Sequence, residues 1–536
     1  MGIGMGIGMG IRTTRARLAH LGGLACLLGA LAGCAGLPPQ VPRPPSSMLA
    51  APADAPLPRL VAEAALPAGK SGFWPLPQAS MALDARLALI RNARSSIDLQ
   101  YYLIGNDTVG RLVLRELRDA AARGVRVRLL LDDLYTEGLD PLLLGLQAHP
   151  NVEVRLFNPF VSGRGFALGR FLSFAGDFRR LNHRMHNKLF IADATVAVAG
   201  GRNLADEYFL LGKEANFLDM DLLISGDLVH HLGELFDGYW NSEQVFPLTR
   251  IASSGLDAPA RRQAFDLLTA GATAATAPSP TGPDAYGEPP FSAALAAGHQ
   301  RWVVADAGAH ADAPTKAQAD DHSPGAKDTV TFRFITLLHE AQSELLLFSP
   351  YFIPGQQGLK HLREARDHGI QVRVVTNAMG STDEPLVSVS YERYRNEMLA
   401  MGIQLYELSS TRLKHDPTLK RVLGSSRGRL HAKMAFIDRK TVLIGSMNMD
   451  LRSAYINTEI GIAVRSPELA RLILEAYKAD GFSGVYQVQL KPDGSGVQWV
   501  GHDEQGEEVL TDEPDVSLWQ RFRLWLMFLF VPEDLL

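Results

Sequence analysis

The chain has 536 residues, 46% hydrophobic and 21% charged, with a formal net charge of −5. That length exceeds one ordinary domain, and the composition is globular. Residues 1–33 hold three arginines and no acid, so the rest carries −8; an acidic body is not the footprint of a non-specific nucleic-acid binder.

The N-terminus reads as a targeting segment. Arg12, Arg15 and Arg17 precede the apolar run Leu18–Gly33, which is short of the roughly 18–20 residues that span a bilayer. The run ends in "LAGC", which resembles a bacterial lipobox and implies cleavage before Cys34 and lipidation of that residue. Ala35 after the cysteine leans toward the outer membrane, with the body on the periplasmic face in either case. Cys26 and Cys34 are the two cysteines of the chain, so the mature body has no disulfide or thiolate metal site. Residues 34–72 are rich in Pro and Ala and are expected to form an extended tether, with the folded body starting near Phe73.

The body repeats itself. "ALIRNARSSIDLQYYLIG" (88–105) and "TLLHEAQSELLLFSPYFIPG" (336–355) each read as helix, polar turn, buried strand and aromatic exit. "ELRDAAARGVRVRLLLDD" (116–133) and "LREARDHGIQVRVVTNAMG" (362–380) each read as a helix with a glycine C-cap followed by a strand. The predicted fold class is α/β, two similar halves at 73–250 and 329–536 around a linker or insertion at 251–328. Within that linker "HQRWVVAD" adds a candidate strand.

"HRMHNKLFIADATVAVAGGRN" (183–203) is echoed by "GRLHAKMAFIDRKTVLIGSMN" (428–448). His186 matches His431, Lys188 matches Lys433, Asp193 matches Asp438 and Asn203 matches Asn448. His183 matches Gly428 and has no echo, which argues against a two-histidine metal site, as does the failure of i and i+3 to align on a strand. On a strand, His186 and Lys188 share a face, as do His431 and Lys433. Two such sets facing each other suit a tetrahedral phosphate. Lysines and asparagines would hold its oxygens, one histidine would attack phosphorus and the other would protonate the leaving oxygen.

At these residues the chain resembles the phospholipase D superfamily, whose signature is a paired HKD motif, and the resemblance runs from about Phe73 to the C-terminus. It implies two α/β/α halves about a pseudo-two-fold axis with the active site between them. It also implies a two-step reaction through a covalent phosphohistidine that needs no metal or cofactor. By the family's usual order His186 is the nucleophile and His431 the general acid, then base; the near symmetry of the motifs leaves that order open. Asn203, Asn448 and Ser446 would contact the substrate phosphate, and Gly201 in place of a second serine leaves one copy without that hydroxyl. Asp193 and Asp438 complete the motifs and read as turn-holding groups. Glu459 matches the acidic residue that orients a histidine, and Asp221 is its expected counterpart in the first half, with Asp219 as the fallback.

Within the superfamily the chain looks most like bacterial cardiolipin synthases of the type-C branch, through "YYLIGND", "HRMHNK", "SYERYR" and an aromatic C-terminal helix. That implies phosphatidylglycerol, phosphatidylethanolamine and cardiolipin as partners, a membrane surface, no nucleic acid, and a monomer that suffices because both motifs lie in one chain. A hydrolytic phospholipase D, a phosphodiester nuclease and a lipid-anchored binding protein are the alternatives.

Three stretches keep two readings each. The Arg- and Phe-rich segment 155–188 is either a membrane-contacting loop or a partly buried one. "SLWQRFRLWLMFLF" (517–530) is either an interfacial or a core-docked helix. Tyr391, Arg393, Tyr394 and Arg395 either touch substrate or lie on a solvated helix face.

Overall fold

The structure is a computed structural model and describes residues 36–318, 327–477, 484–503, 506–528 and 533. The expected signal peptide and Cys34 lie outside them. The proposed tether is only partly extended. Pro56–Glu63 is a helix that starts on proline, where a missing N–H costs nothing, and it buries Leu57 and Leu60. Before it, the amide of Met48 donates to Asp237 and the Ser46 carbonyl accepts from Arg128, so the segment is strapped along the first half.

The first half contributes β1 (Ser71–Leu76), β2 (Ser96–Tyr101), β3 (Arg126–Asp132), β4 (Val152–Phe157), β5 (Leu189–Ala192), β6 (Val196–Gly200), β7 (Ala215–Leu218), β8 (Asp221–Gly226) and β9 (Val245–Pro247). The second contributes β10 (Val303–Ala311), β11 (Glu344–Phe348), β12 (Gln371–Asn377), β13 (Gln404–Leu408), β14 (Arg427–Leu430), β15 (Met434–Ile437), β16 (Thr441–Gly445), β17 (Ile460–Arg465) and β18 (Val485–Leu490). The pairings run β9-β4-β3-β2-β5-β6-β8-β1 in one half. They run β18-β13-β12-β11-β15-β16-β17-β10 in the other. In each half three consecutive strands are parallel and joined by helical crossovers, while the motif strands are antiparallel beside them. Parallel strands covered on both faces read as continuous apolar runs, and "RLLLD" at 128–132 and "VRVV" at 372–375 do so. The crossover helix Thr108–Ala122 is amphipathic, burying Val109, Leu112, Val113 and Leu117, and Asp107 caps it by accepting from the Gly110 amide at 2.9 Å.

Two seams join the halves. β10, from the segment expected to be linker, pairs antiparallel with β1 (Phe73 opposite Val303) and with β17 (Gly308 opposite Ala463). Part of the candidate strand "HQRWVVAD" lies there: Val303 and Ala305 are buried, and β10 closes the gap between two sheet edges. The second seam is a parallel pair of β7 with β14, Leu218 opposite Leu430. It sets Asp219 beside His431.

Candidate active site

Each motif histidine ends a short loop just before a buried strand. His186 donates its amide to the Thr458 carbonyl at 2.8 Å, and His431 donates its amide to the Leu218 carbonyl at 2.8 Å. Both bonds cross from one half to the other. The carboxylates follow the same crossing. Nδ1 of His186 lies 3.0 Å from Glu459, and Nδ1 of His431 lies 2.6 Å from Asp219. Each imidazole is therefore oriented by the opposite half. With a carboxylate on Nδ1, that nitrogen carries the hydrogen and Nε2 presents its lone pair.

The register gives the histidine partner of the first half. Gly200 stands opposite Asp221, and its repeat counterpart Gly445 stands opposite Gly461. Counting back two residues on each strand, Asp219 is the counterpart of Glu459. The expectation for Asp221 is thus corrected. Asp221 points to the other side of the sheet layer, where it pairs with Arg86 at 2.9 Å and Arg202 at 3.2 Å, all three buried. Ser446 is corrected too. Its hydroxyl donates to Glu459 and its oxygen accepts from the Ile460 amide, so it positions the carboxylate. The first copy has Gly201 because a Cβ there would lie 2.2 Å from the Asp219 carboxylate. The glycine makes room for the acid.

Lys188 and Lys433 each donate one ammonium hydrogen to the carbonyl of their own histidine at 2.7 Å, which leaves further donors on each. They sit over the Tyr102 and Tyr351 rings at 5.1 and 5.9 Å. Asn203 and Asn448 line the cleft, each with a buried side-chain oxygen that has no protein partner. The amide is symmetric in shape, so a flip presents an N–H₂ donor at the same place. Asp193 and Asp438 stand apart from this chemistry. Asp193 accepts from the amides of Arg94, Ser95 and Ser96, and Asp438 from those of Gln342, Ser343 and Glu344. They tie the motif turn to the turn before β2 or β11. His183 binds the Ile456 carbonyl through Nδ1 at 2.9 Å, another bridge between the halves.

The two histidines open into one cleft of about 340 Å³, lined also by Tyr102, Tyr135, Tyr208, Tyr351, Asp383 and Glu384. Tyr102 meets His186 edge-on at 4.8 Å, while Tyr208 and Phe217 flank His431 at 5.1 and 4.8 Å. Burial pushes His186 down to about 4, against the opposing pull of Glu459. Burial and Lys433 lower His431 as well. Burial brings Lys433 down to about 8 and drives Lys188 well below the usual lysine range. Burial would raise Asp219, yet His431, Lys433 and Arg202 outweigh it and hold the carboxyl at about 2. The resting site thus pairs neutral imidazoles with ionised carboxylates.

Sequence reasoning missed most of the wall. Tyr102 and Tyr351 lie in the aromatic strand exits that revealed the repeat. Asp383 and Glu384 begin the helix Pro385–Ala400, whose Tyr391, Arg393, Tyr394 and Arg395 were the candidates for substrate contact. The structure turns that face away. Arg395 is buried between Glu407 and Glu513, Tyr391 is buried beside Phe352, and Arg393 and Tyr394 bind Glu533. The basic-aromatic segment divides similarly. Arg155 stacks on Trp240, Arg164 pairs with Asp133 and Asp140, and Arg184 pairs with Asp132. The acids of Arg164 and Arg184 lie at or beyond the end of β3, outside the segment and so invisible locally, whereas Arg155 pairs with the nearby Glu153. Phe166, Leu168, Phe171 and Leu172 of the helix Ala167–Gly176 and its cap stay exposed.

A family model described as "Cardiolipin synthase, PLD-like domain" matches residues 87–240 and 334–480, one match per half. The chain belongs to this phospholipase D-like family. Cardiolipin synthase C of Escherichia coli (strain K12) is 36% identical over 488 residues, spanning 90% of this chain and all of that protein. Cardiolipin synthase 1 of Staphylococcus aureus (strain MRSA252) is 26% identical over 74% of this chain and 64% of its own length. The crystal structure of phosphatidylserine synthase from Haemophilus influenzae Rd KW20 superposes with a TM-score of 0.50 at 13% identity, covering 77% of this chain and 87% of that one. It shares the fold. The chain is a phospholipase D-type phosphatidyltransferase in its cardiolipin synthase branch.

Proposed function

We propose that the protein makes cardiolipin by phosphatidyl transfer, with a phospholipid as donor and the headgroup hydroxyl of phosphatidylglycerol as acceptor. The observation that carries this is the pair of buried histidines, each held at Nδ1 by a carboxylate of the other half, facing one cleft. His186 Nε2 attacks phosphorus, an N–P bond forms, the P–O bond to the leaving alcohol breaks, and that oxygen takes a proton from His431. A bound phosphodiester anion raises the proton affinity of His431, favouring the charged acid that the first step needs. In the second step His431 takes the acceptor's proton, the acceptor oxygen bonds phosphorus, and the N–P bond breaks. Lys188, Lys433, Asn203 and Asn448 stabilise charge on the non-bridging oxygens. Asp383 and Glu384 at the wall offer acceptors for headgroup hydroxyls, which supports a polyol acceptor over water.

Purified protein in detergent, given labelled phosphatidylglycerol and phosphatidylethanolamine, is expected to form labelled cardiolipin. Phosphatidic acid as the sole product would overturn the synthase reading in favour of hydrolysis. The order of the histidines is tested with a phosphodiester bearing a p-nitrophenolate leaving group, which needs no acid. His431→Ala is expected to accumulate a labelled phosphoenzyme, and His186→Ala to form none; the reverse result exchanges their roles.

We further propose that the mouth of the cleft faces a bilayer. Among the described residues no helix is long and apolar enough to cross a membrane. Two apolar helices flank the mouth instead. The helix Ala167–Gly176 is fixed by Arg170 to the carbonyls of Asp133 and Leu134, next to the cleft residue Tyr135. The helix Leu518–Phe528 packs on Pro385–Ala400 and exposes Trp519, Phe522, Trp525 and Leu526. Aromatic residues on a short amphipathic helix suit the headgroup region, and lipidation at Cys34 would supply the second anchor.

A further inference from the structure

The two halves differ in what fills the space between the first helix and the motif sheet. In the first half, Arg86, Asp221 and Arg202 form a buried ionic triad there, and Trp74 is buried on the same face of the sheet. The repeat places different residues at each equivalent position. The tie of Asp193 to residues 94–96 and of Asp438 to residues 342–344 aligns Arg86 with Phe334. The motif spacing aligns Arg202 with Met447. Strand register aligns Asp221 with Gly461, and, through Trp74 opposite Leu223 and Gly308 opposite Ala463, Trp74 with Gly308. The charges are gone from the second half, Phe334 and Met447 stand where the first half has Arg86 and Arg202, and two glycines stand where it has Asp221 and Trp74. What remains is a cavity of about 540 Å³ between the helix Val330–Leu338 and strands β10, β16 and β17. Its size falls in the range of small-molecule sites.

The cavity is lined mainly by apolar residues, Phe334, Leu337, Leu443 and Met447 among them, and Lys433 also belongs to its lining. Its outer rim carries Arg333 and Arg465, each side chain 56% exposed. Asp328 beside Arg333 is exposed, so that pair is weak and open to competition, while Arg465 holds the half-exposed Glu340 through two hydrogen bonds of 2.9 and 3.1 Å. Asp306 at the same rim is already paired with Lys70. An apolar slot with a cationic rim fits a single long alkyl chain ending in an anionic group. We propose that it holds one acyl chain of a phospholipid, with the headgroup phosphate at Arg333 and Arg465, as a lipid site separate from the reacting cleft. The inference rests on the phosphatidyltransferase reading for the choice of lipid. Occupancy packs the chain against the Lys433 stem and couples lipid supply to the site.

The test uses the full chain carrying His186→Ala, so that binding is read without turnover. The probe is cis-parinaric acid, whose fluorescence rises in an apolar site, displaced by phosphatidylglycerol or by oleate. Saturable binding at one probe per chain, displaced by phosphatidylglycerol, is expected. Gly308→Trp, which copies the first half and whose Cβ would meet nothing within 4 Å, is expected to weaken binding at least ten-fold, as is Ala463→Leu. Binding unchanged in both folded variants, or displacement by oleate alone, would overturn the phospholipid site. Transfer activity of the parent chain is measured in parallel: loss of binding with transfer intact sinks only the cavity, whereas binding without any transfer sinks the proposed function.

Discussion

At the scale of single residues the site depends on protons being in the right place. Nucleophilic attack needs His186 unprotonated, so activity rises as pH passes above about 4. The first step also needs His431 charged, and burial and Lys433 hold that imidazole below its usual range, so activity falls as pH rises through the lowered value. A pH profile of kcat/KM in detergent micelles is expected to show both limbs, and the alkaline limb to be relieved with a p-nitrophenolate leaving group, which needs no acid. The neighbouring aspartates make a sharper comparison. Asp219→Asn leaves His431 without its anionic partner and is expected to lower kcat about 10²–10⁴-fold with little change in folding. Asp221→Asn strands two buried arginines, and urea denaturation is expected to show a loss of about 3–5 kcal/mol. If Asp221→Asn were the catalytically dead variant, the assignment of Asp219 would be wrong.

At the scale of elements, the HKD aspartates of the two repeats act as staples between a motif turn and a neighbouring turn. Asp193 is fully buried and satisfies three amides, whereas Asp438 does the same task on a more exposed turn. Asp193→Ala leaves buried donors unpaired at about 1–3 kcal/mol each. Chemical denaturation is expected to show a larger loss for Asp193→Ala than for Asp438→Ala. The glycines of the second motif element have a similar local reason. A Cβ at Gly445 would lie 2.1 Å from the Ile460 carbonyl, so only glycine lets β16 approach β17 that closely.

At the scale of the whole molecule the two halves are one catalyst, since each histidine is seated and oriented by the half to which it does not belong. The exposed aromatic helices beside the mouth extend that unit to a surface. Replacing Trp519, Phe522 and Trp525 together by alanine is expected to reduce flotation with anionic vesicles at least ten-fold. Turnover of a short-chain soluble phosphodiester should stay unchanged, because none of the three touches the cleft. Equal flotation of the variant would remove this helix from the contact.

The sequence by itself determined the duplication, the α/β class, and the identities of His186, Lys188, Asn203 and their echoes. These are carried by periodicity and spacing, which are local properties of the chain. It chose Asp221 with Asp219 as the fallback, because only folding shows which of the two is brought beside His431 by the pairing of β7 with β14. It assigned Ser446 to the phosphate and left Tyr391, Arg393, Tyr394 and Arg395 between substrate contact and a solvated helix face, because a short segment does not reveal the distant carboxylates that claim their polar groups. It marked "HQRWVVAD" within 251–328 as a candidate strand but could not place it; the place of β10 comes from two sheet edges that need a strand between them. Only the tertiary structure decided these points: hydrogen-bond partners, buried counter-charges and the crossed carboxylates belong to pairs of segments brought together by folding.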